Sequence, residues 1–453
     1  MGSCRGGAAM PPALCEKGLH LNLSVAPASV AVMTALDLFP DTAAVADGEL
    51  VLGGVMSSSL AEIYGTPLVV YCEGTLRARA RAYRQAAPAA RVLYSVKAFP
   101  NVALLRLFAE EGLGAEASTL GELAYAREAG IGGDAIVLDG NNKSDEELRA
   151  GAEAGCLVVL DAPDDAERTA AAGVSRVLVR VTPGIDADTH WAIQTGHRGS
   201  KFGLTPEQAT ETLRRCAELE LTAEGLHVHI GSQLLDIGAE RMTIDWLAAF
   251  AADCRSELGW TPSVVDLGGG LGIRYTEDDP RLDVAGFVTT LIERIEHAWA
   301  LHGLPQPKIV LEPGRSLVGQ AAVTLYRVGA VKQASESVTY VAVDGGMSDN
   351  PRPQLYGARH SALLASRASD TPAGTFAICG KHCESADVLI ERALLPEPKR
   401  GDVLAVAATG AYTLGMSSNY NAVPRPAAVL VSNGEARVIR RRETVDSLLA
   451  LEA

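Results

Sequence analysis

A chain of 453 residues, 47% hydrophobic and 21% charged, has the composition of a globular protein with one large domain and a smaller one. That excludes collagen-like, coiled-coil and largely disordered classes. Its formal net charge of −15 disfavours nucleic acid and anionic membrane as partners, since both select clustered Lys and Arg.

The eight cysteines lie scattered without the spacing of a disulfide framework, which fits free thiols in a reducing, cytoplasmic compartment. No window holds the ~20 unbroken apolar residues of a membrane helix. Ser24–Phe39 makes a poor signal peptide, because Glu16, Lys17 and His20 precede it and Asp37 interrupts it. The start Met1-Gly2-Ser3-Cys4-Arg5-Gly6 lacks the Ser or Thr that N-myristoylation prefers. Residues 1–32 are expected to be a disordered tail or to precede a true start at Met33. Residues 33–72 form an N-terminal segment whose Pro67–Cys72 run is expected to supply a strand to a later β domain.

From residue 73 to 318 short β-branched runs alternate with helical patterns. The predicted strands are Val92–Val96, Gly114–Ala117, Ala135–Leu138, Leu157–Leu160, Val177–Val181, Gly225–Ile230, Val264–Leu267 and Ile309–Leu311. Helical segments between them include Val102–Glu111, Leu120–Ala129, Asp145–Ala154, Pro206–Leu219, Arg241–Leu258 and Val284–Leu301. Thr119-Leu-Gly-Glu122 and Ser144-Asp-Glu-Glu147 fit the capping box, and Thr205-Pro-Glu-Gln208 adds a proline at the first helical position. Eight strands alternating with helices predict an α/β fold, a (β/α)8 barrel; a doubly wound sheet is the competing architecture.

From 319 to 453 the texture turns mostly β. Val323–Val328, Val338–Val343, Thr375–Cys379, Val403–Ala407 and Ala428–Val431 read as strands, and Asn433-Gly434 as a tight hairpin turn.

Chemistry in such a barrel sits at the C-terminal ends of its strands. Lys97 ends the first strand, in Tyr94-Ser-Val-Lys-Ala-Phe-Pro-Asn101. Desolvated there, it would have a lowered pKa and serve as an imine-forming amine, unless it escapes to solvent. The sixth strand carries His227-Val-His229-Ile-Gly-Ser232, two histidines on one side of a strand. A His-x-His pair also suggests a metal, but no third ligand of convincing spacing follows, so none is expected. The seventh strand runs into Asp266-Leu-Gly-Gly-Gly-Leu-Gly272, where Gly268, Gly269 and Gly270 let backbone N–H groups approach a phosphate. The eighth ends in Glu312-Pro-Gly-Arg315, an anion and a cation on one rim.

With Gly140-Asn-Asn-Lys-Ser144, Lys201-Phe-Gly203, Asp344-Gly-Gly-Met347, Arg352-Pro-Gln-Leu-Tyr356, Cys383-Glu-Ser385 and Gly410-Ala-Tyr412, the ordered set resembles the fold-type III decarboxylases dependent on pyridoxal 5′-phosphate. Their architecture is alanine racemase-like: a barrel plus a β domain. Within them it is similar to the diaminopimelate decarboxylases from about residue 34 onward, and these act on meso-diaminopimelate to give L-lysine and CO2.

The resemblance implies the roles. Lys97 would hold the cofactor, Glu312 would face its pyridine nitrogen and His229 would stack on its ring. Ser232, Gly268–Gly270, the backbone of Gly314 and Arg315, and Tyr412 would surround the phosphate. Cys383 would donate a proton from the second subunit of a homodimer; alone, it reads as a buried loop thiol or part of a small metal motif. Tyr412 alone would more often be a core or interface tyrosine.

A distal carboxylate selects the planar fork of arginine. The resemblance matches Arg315 and Arg352 to that end of the substrate, with Tyr356 donating a hydrogen bond, Tyr412 nearby and Glu384 on the distal ammonium. Three residues depart from the family pattern: Glu116 where Asp is usual, Asp139 where His is common, and Phe99 where Asn is common. The alternatives are a decarboxylase of another basic amino acid or of a carrier-bound acyl substrate, a racemase on the same barrel, or a non-catalytic cofactor-binding protein.

Overall fold

The computed structural model describes residues 36–185 and 199–453; the tail expected over 1–32 lies outside the described residues. Eight parallel strands close a barrel: β1 (Arg91–Ser95), β2 (Gly114–Ala117), β3 (Ile136–Leu138), β4 (Leu157–Leu160), β5 (Arg176–Arg180), β6 (Thr222–His227), β7 (Val264–Asp266) and β8 (Lys308–Leu311). β8 pairs with β1 to complete the circle, which settles the barrel against the doubly wound sheet. The predicted strands match within a residue or two, except that β6 runs from Thr222 to His227 instead of from Gly225 to Ile230.

Of the three expected helix starts two carry the full capping box, at Ser144 and at Thr205 with Pro206 behind it. The third is half a box. Thr119 accepts from the Glu122 N–H, but the Glu122 carboxylate turns to the backbone N–H of Ser118 at 2.7 Å.

A second sheet is built on Leu68–Cys72, whose five residues are all buried. It pairs antiparallel with Ala322–Gln333 and parallel with Ala427–Ser432. Beyond Ala322–Gln333 follow Thr339–Val343, Gly374–Cys379 and Val388–Leu395; beyond Ala427–Ser432 lies Glu435–Arg440. Asn433 and Gly434, with φ of 52° and 83°, make the predicted tight turn. Val388–Leu395 was not among the expected strands.

The six cysteines among the described residues are free thiols. No helix among the described residues is long and apolar enough to cross a membrane.

The core explains where polar chemistry can sit. Leu93, Val137, Leu157, Val159, Leu178, Val264 and Val310, drawn from six of the barrel strands, form one buried cluster. Side chains on a strand alternate between its faces, so the residue two places on faces the same way. Counting two from that cluster, and from Gly114 and Gly225 in the remaining strands, gives Ser95, Glu116, Asp139, Asp161, Arg180, His227, Asp266 and Glu312. All eight are buried. An apolar plug thus carries a polar layer at the strand ends.

Candidate active site

Lys97 follows β1 in a single 3-10 turn, Val96–Ala98. Its Nζ donates to Glu116 Oε2 at 2.9 Å while the lysine side chain keeps 44% exposure. Glu116 is held by two further donors, Ser95 Oγ at 2.5 Å and Ser118 Oγ at 2.9 Å. The expectation of a lowered lysine pKa is corrected here. Burial does push the ammonium toward losing its proton, but Glu116, then Tyr412, Glu312 and Asp139, outweigh it and raise the pKa above the ordinary lysine value. Glu122, close behind, has its carboxyl pushed up to about 7 by burial and by the charge of Glu116.

Asp139 and Asp161 share one cation. Arg180 Nη1 lies 2.9 Å from Asp139 Oδ2 and 3.2 Å from Asp161 Oδ2. Burial alone would raise the Asp139 carboxyl, yet Arg180, His227 and Lys97 hold it well below the usual range. Asp161 also accepts the Gly203 N–H at 2.9 Å, tying the loop beyond the fifth strand to the rim.

His229, just past β6, is kept neutral: burial and the nearby charges of Lys97, Arg180 and His227 press its pKa well below the usual imidazole range. A Cβ on Gly268 would lie 2.7 Å from His229 Nδ1, and Gly268 has φ +65°, so only glycine fits there. Its N–H is already taken by Asp266 Oδ1 at 2.8 Å. That leaves the amides of Gly269 and Gly270 as the glycine-loop candidates for an anion.

Arg315, buried, donates to Ser232 Oγ at 3.0 Å and to Tyr275 Oη at 2.6 Å, and lies 4.8 Å from the Tyr412 ring centre. Arg352, 4% exposed, lies 4.6 Å from the Tyr275 ring centre. Its Nε and Nη1 have no hydrogen-bond partner, and burial together with Arg315 lowers its pKa. Among the described residues neither arginine is paired with a carboxylate. Tyr356, on the same short helix as Arg352 (Arg352–Tyr356), reaches Met416 Sδ at 3.9 Å.

Tyr412 adopts φ +57°, an uncommon conformation for a tyrosine, and its N–H donates to Ala98 O at 2.8 Å. The β domain therefore docks on the lysine turn. Phe99, one of the three departures, serves the same junction: its ring stacks on Tyr71 of the second sheet at 5.0 Å, and Tyr71 Oη donates to Gly410 O. Gly314 is packed against Ser95 and Ala98.

Cys383 and Glu384 stand apart. Both are exposed on the loop between Gly374–Cys379 and Val388–Leu395. Cys383 is fixed by its N–H to Asn421 Oδ1 at 3.1 Å, and within one chain neither residue is hydrogen-bonded or ion-paired to the Lys97 group.

The sequence reading missed Arg180, Asp161 and Tyr275. Arg180 closes an apolar strand just as Lys97 does, and that signal would have found it. Tyr275 lies in a loop with no pattern to mark it. The reading also found no third partner for a metal in the His-x-His pair. In space, His227 rather than His229 gathers Asp266 and Glu312, with ligand atoms within 4.8 Å of one another.

Residues 73–319 match the family model described as pyridoxal-dependent decarboxylase, pyridoxal binding domain. The chain is 42% identical over 421 residues to the diaminopimelate decarboxylase of Bacillus subtilis strain 168, covering 89% of this chain and 95% of that one. It is 44% identical over 412 residues to that of Actinosynnema pretiosum subsp. auranticum, covering 89% and 93%. The crystal structure of diaminopimelate decarboxylase from M. jannaschii in complex with L-lysine superposes with a TM-score of 0.84 at 32% identity, covering 91% of this chain and 98% of that chain. With a barrel mouth holding an accessible lysine, a neutral histidine and two arginines that have no carboxylate partner among the described residues, the chain belongs to the diaminopimelate decarboxylase family of pyridoxal-phosphate-dependent enzymes.

Proposed function

We propose that the chain converts meso-2,6-diaminopimelate to L-lysine and CO2 as a cytoplasmic homodimer, with Lys97 carrying pyridoxal 5′-phosphate. The observation that carries this reading is the pair of buried guanidiniums, Arg315 and Arg352, packed on Tyr275 without a carboxylate partner among the described residues. Two buried cations left unanswered are costly, and a substrate carboxylate is the anion that repays them.

The residues present fit the cofactor. Glu312 Oε1 is a buried acceptor with no hydrogen-bond partner, suited to a protonated ring nitrogen. When bound, pyridoxal 5′-phosphate supplies an electron sink for the pair of electrons left as CO2 departs. Glu312 would hold the pyridine N–H and His229, neutral, would pack on the ring face. Ser232, Gly269 and Gly270, the Gly314-Arg315 backbone and Tyr412 would hold the phosphate. Gly268 would help as a spacer beside His229. Glu116 accepts a hydrogen bond from the Lys97 amine and orients it.

At the substrate's far end Arg352 and the Arg315 side chain grip the carboxylate, with Tyr356 and Tyr412 beside them. The partner subunit's Glu384 takes the distal ammonium, and the partner subunit's Cys383 returns a proton to the carbon that lost CO2. The exposure of both in the single chain supports a second copy bringing them in. Supplied with cofactor, the purified chain should release lysine and CO2 from meso-diaminopimelate. Lysine formation no faster than by Lys97→Ala would end the reading.

A further inference from the structure

The polar layer of the barrel holds five carboxyls: Glu116, Asp139, Asp161, Asp266 and Glu312. Three of them have a lysine or arginine partner. Lys97 answers Glu116, and Arg180 answers both Asp139 and Asp161. Among the described residues Asp266 and Glu312 have only His227, whose Nε2 lies 3.6 Å from Glu312 Oε2. All three are buried, and neither His227 nitrogen has a hydrogen-bond partner. Two carboxyls this close in a dry site do not both ionise without a cation between them.

We propose that His227 is a positioning residue for the pyridine end of the cofactor: an imidazolium that keeps Glu312 ionised and aimed at the ring nitrogen. This rests on the reading of Glu312 as the pyridine partner and adds the group that sets its charge.

The surroundings support it from each strand. Glu312 just past β8, Asp266 at the end of β7 and Asp139 just past β3 all act on His227, and the opposing cations are Lys97 and Arg180. Burial alone would strip the imidazole of its proton, but Glu312, Asp139 and Asp266 raise its pKa to about 9. Asp266 is driven well above the carboxylate range by burial and by Glu312. His227 Nε2 faces Glu312 Oε2 directly, so its charge acts first on that carboxyl.

The test compares His227→Gln, Asp266→Asn and Glu312→Gln with the wild type, each loaded with pyridoxal phosphate. The bound cofactor's visible band is titrated with pH, cofactor dissociation constants are measured, and kcat and KM are separated. His227→Gln should move the band's midpoint by about one pH unit in the same direction as Glu312→Gln. It should lower kcat about tenfold or more with KM nearly unchanged. Asp266→Asn should move the midpoint less.

A shift with Glu312→Gln but none with His227→Gln would overturn the inference and leave the role of Glu312 intact. No shift with either would remove the Glu312 reading, and the inference with it. Should His227→Gln fail to fold, the wild-type imidazole can be titrated by NMR in selectively labelled cofactor-free protein. A midpoint at or above ~8 is expected, and one below the unperturbed histidine value overturns the proposal. Stoichiometric zinc in the purified wild type would overturn it as well.

Discussion

Lys97 Nζ and Glu116 Oε2 meet at 2.9 Å across two neighbouring strands, and this anion is the largest of the charges that together outweigh burial at the lysine amine. Glu116→Gln leaves burial to act with less opposition. The pH midpoint for cofactor capture by the cofactor-free protein should move down, read from the growth of the visible band after mixing. An unmoved midpoint would show that Glu116 does not set the lysine's charge.

Arg352 is expected to act on substrate and not on cofactor. Charge-assisted hydrogen bonds contribute roughly 1.5–3 kcal/mol, so Arg352→Met should raise KM by about 10- to 100-fold. The cofactor band should persist. Because the arginine is buried without a partner, the same variant should melt no lower than the wild type. A bleached cofactor would place Arg352 elsewhere.

Arg180 serves stability and site geometry together. Removing it strands Asp139 and Asp161 in the barrel, at a cost of about 3–5 kcal/mol. Urea unfolding of cofactor-free Arg180→Met should show that loss. A double variant with Asp139→Asn should recover part of it, and no recovery would mean the pair is not coupled.

Glu240 gives a pH signature. It is 9% exposed, both oxygens lack partners, and it lines a small apolar cavity with Ile244, Phe287 and Leu291 behind the glycine loop. Burial, its largest influence, lifts the carboxyl to about 7 from 4.5. The folded state then binds the proton more tightly than the unfolded one. Stability therefore falls as pH rises through the unfolded value, and the full cost is present above pH 7. Glu240→Met should stabilise the protein at pH 8 by on the order of 2–3 kcal/mol and have little effect at pH 4. Melting curves at the two pH values decide it; equal shifts at both would be wrong for this explanation.

The shared-site reading has its own check. Lys97→Ala and Cys383→Ala should each be inactive alone. Mixed and reassembled, they should recover about a quarter of wild-type activity, since half the dimers are mixed and each has one intact site. No recovery on mixing would place Cys383 in its own chain's site.

The barrel was legible because its strands are β-branched runs bounded by capped helices, and Ser144 and Thr205 marked two of those boundaries within a residue. β6 was read three residues too far along the chain because the alternation of His227-Val-His229-Ile continues past the point where the chain leaves the sheet. Val388–Leu395 escaped because Val-Leu-Ile-Glu-Arg-Ala-Leu-Leu is as compatible with a helix turn as with a strand. Glu312, Lys97 and His229 stand out in the sequence by their place at strand ends. Arg180 and Asp161 obey the same rule and were overlooked because no recognised motif surrounded them. The sign of the Lys97 shift was not legible, because it depends on which carboxylate faces the amine across the gap between strands.

The stacked rings of Phe99 and Tyr71, together with the Tyr412 N–H on Ala98 O, make the reactive turn a hinge-free splice. A barrel expressed without its companion sheet would bare an aromatic face beside its own lysine. Attempts to redirect this scaffold by trading the companion sheet alone would also shift the amine they meant to keep. Residues 71, 99 and 412 belong in any graft as one inseparable block.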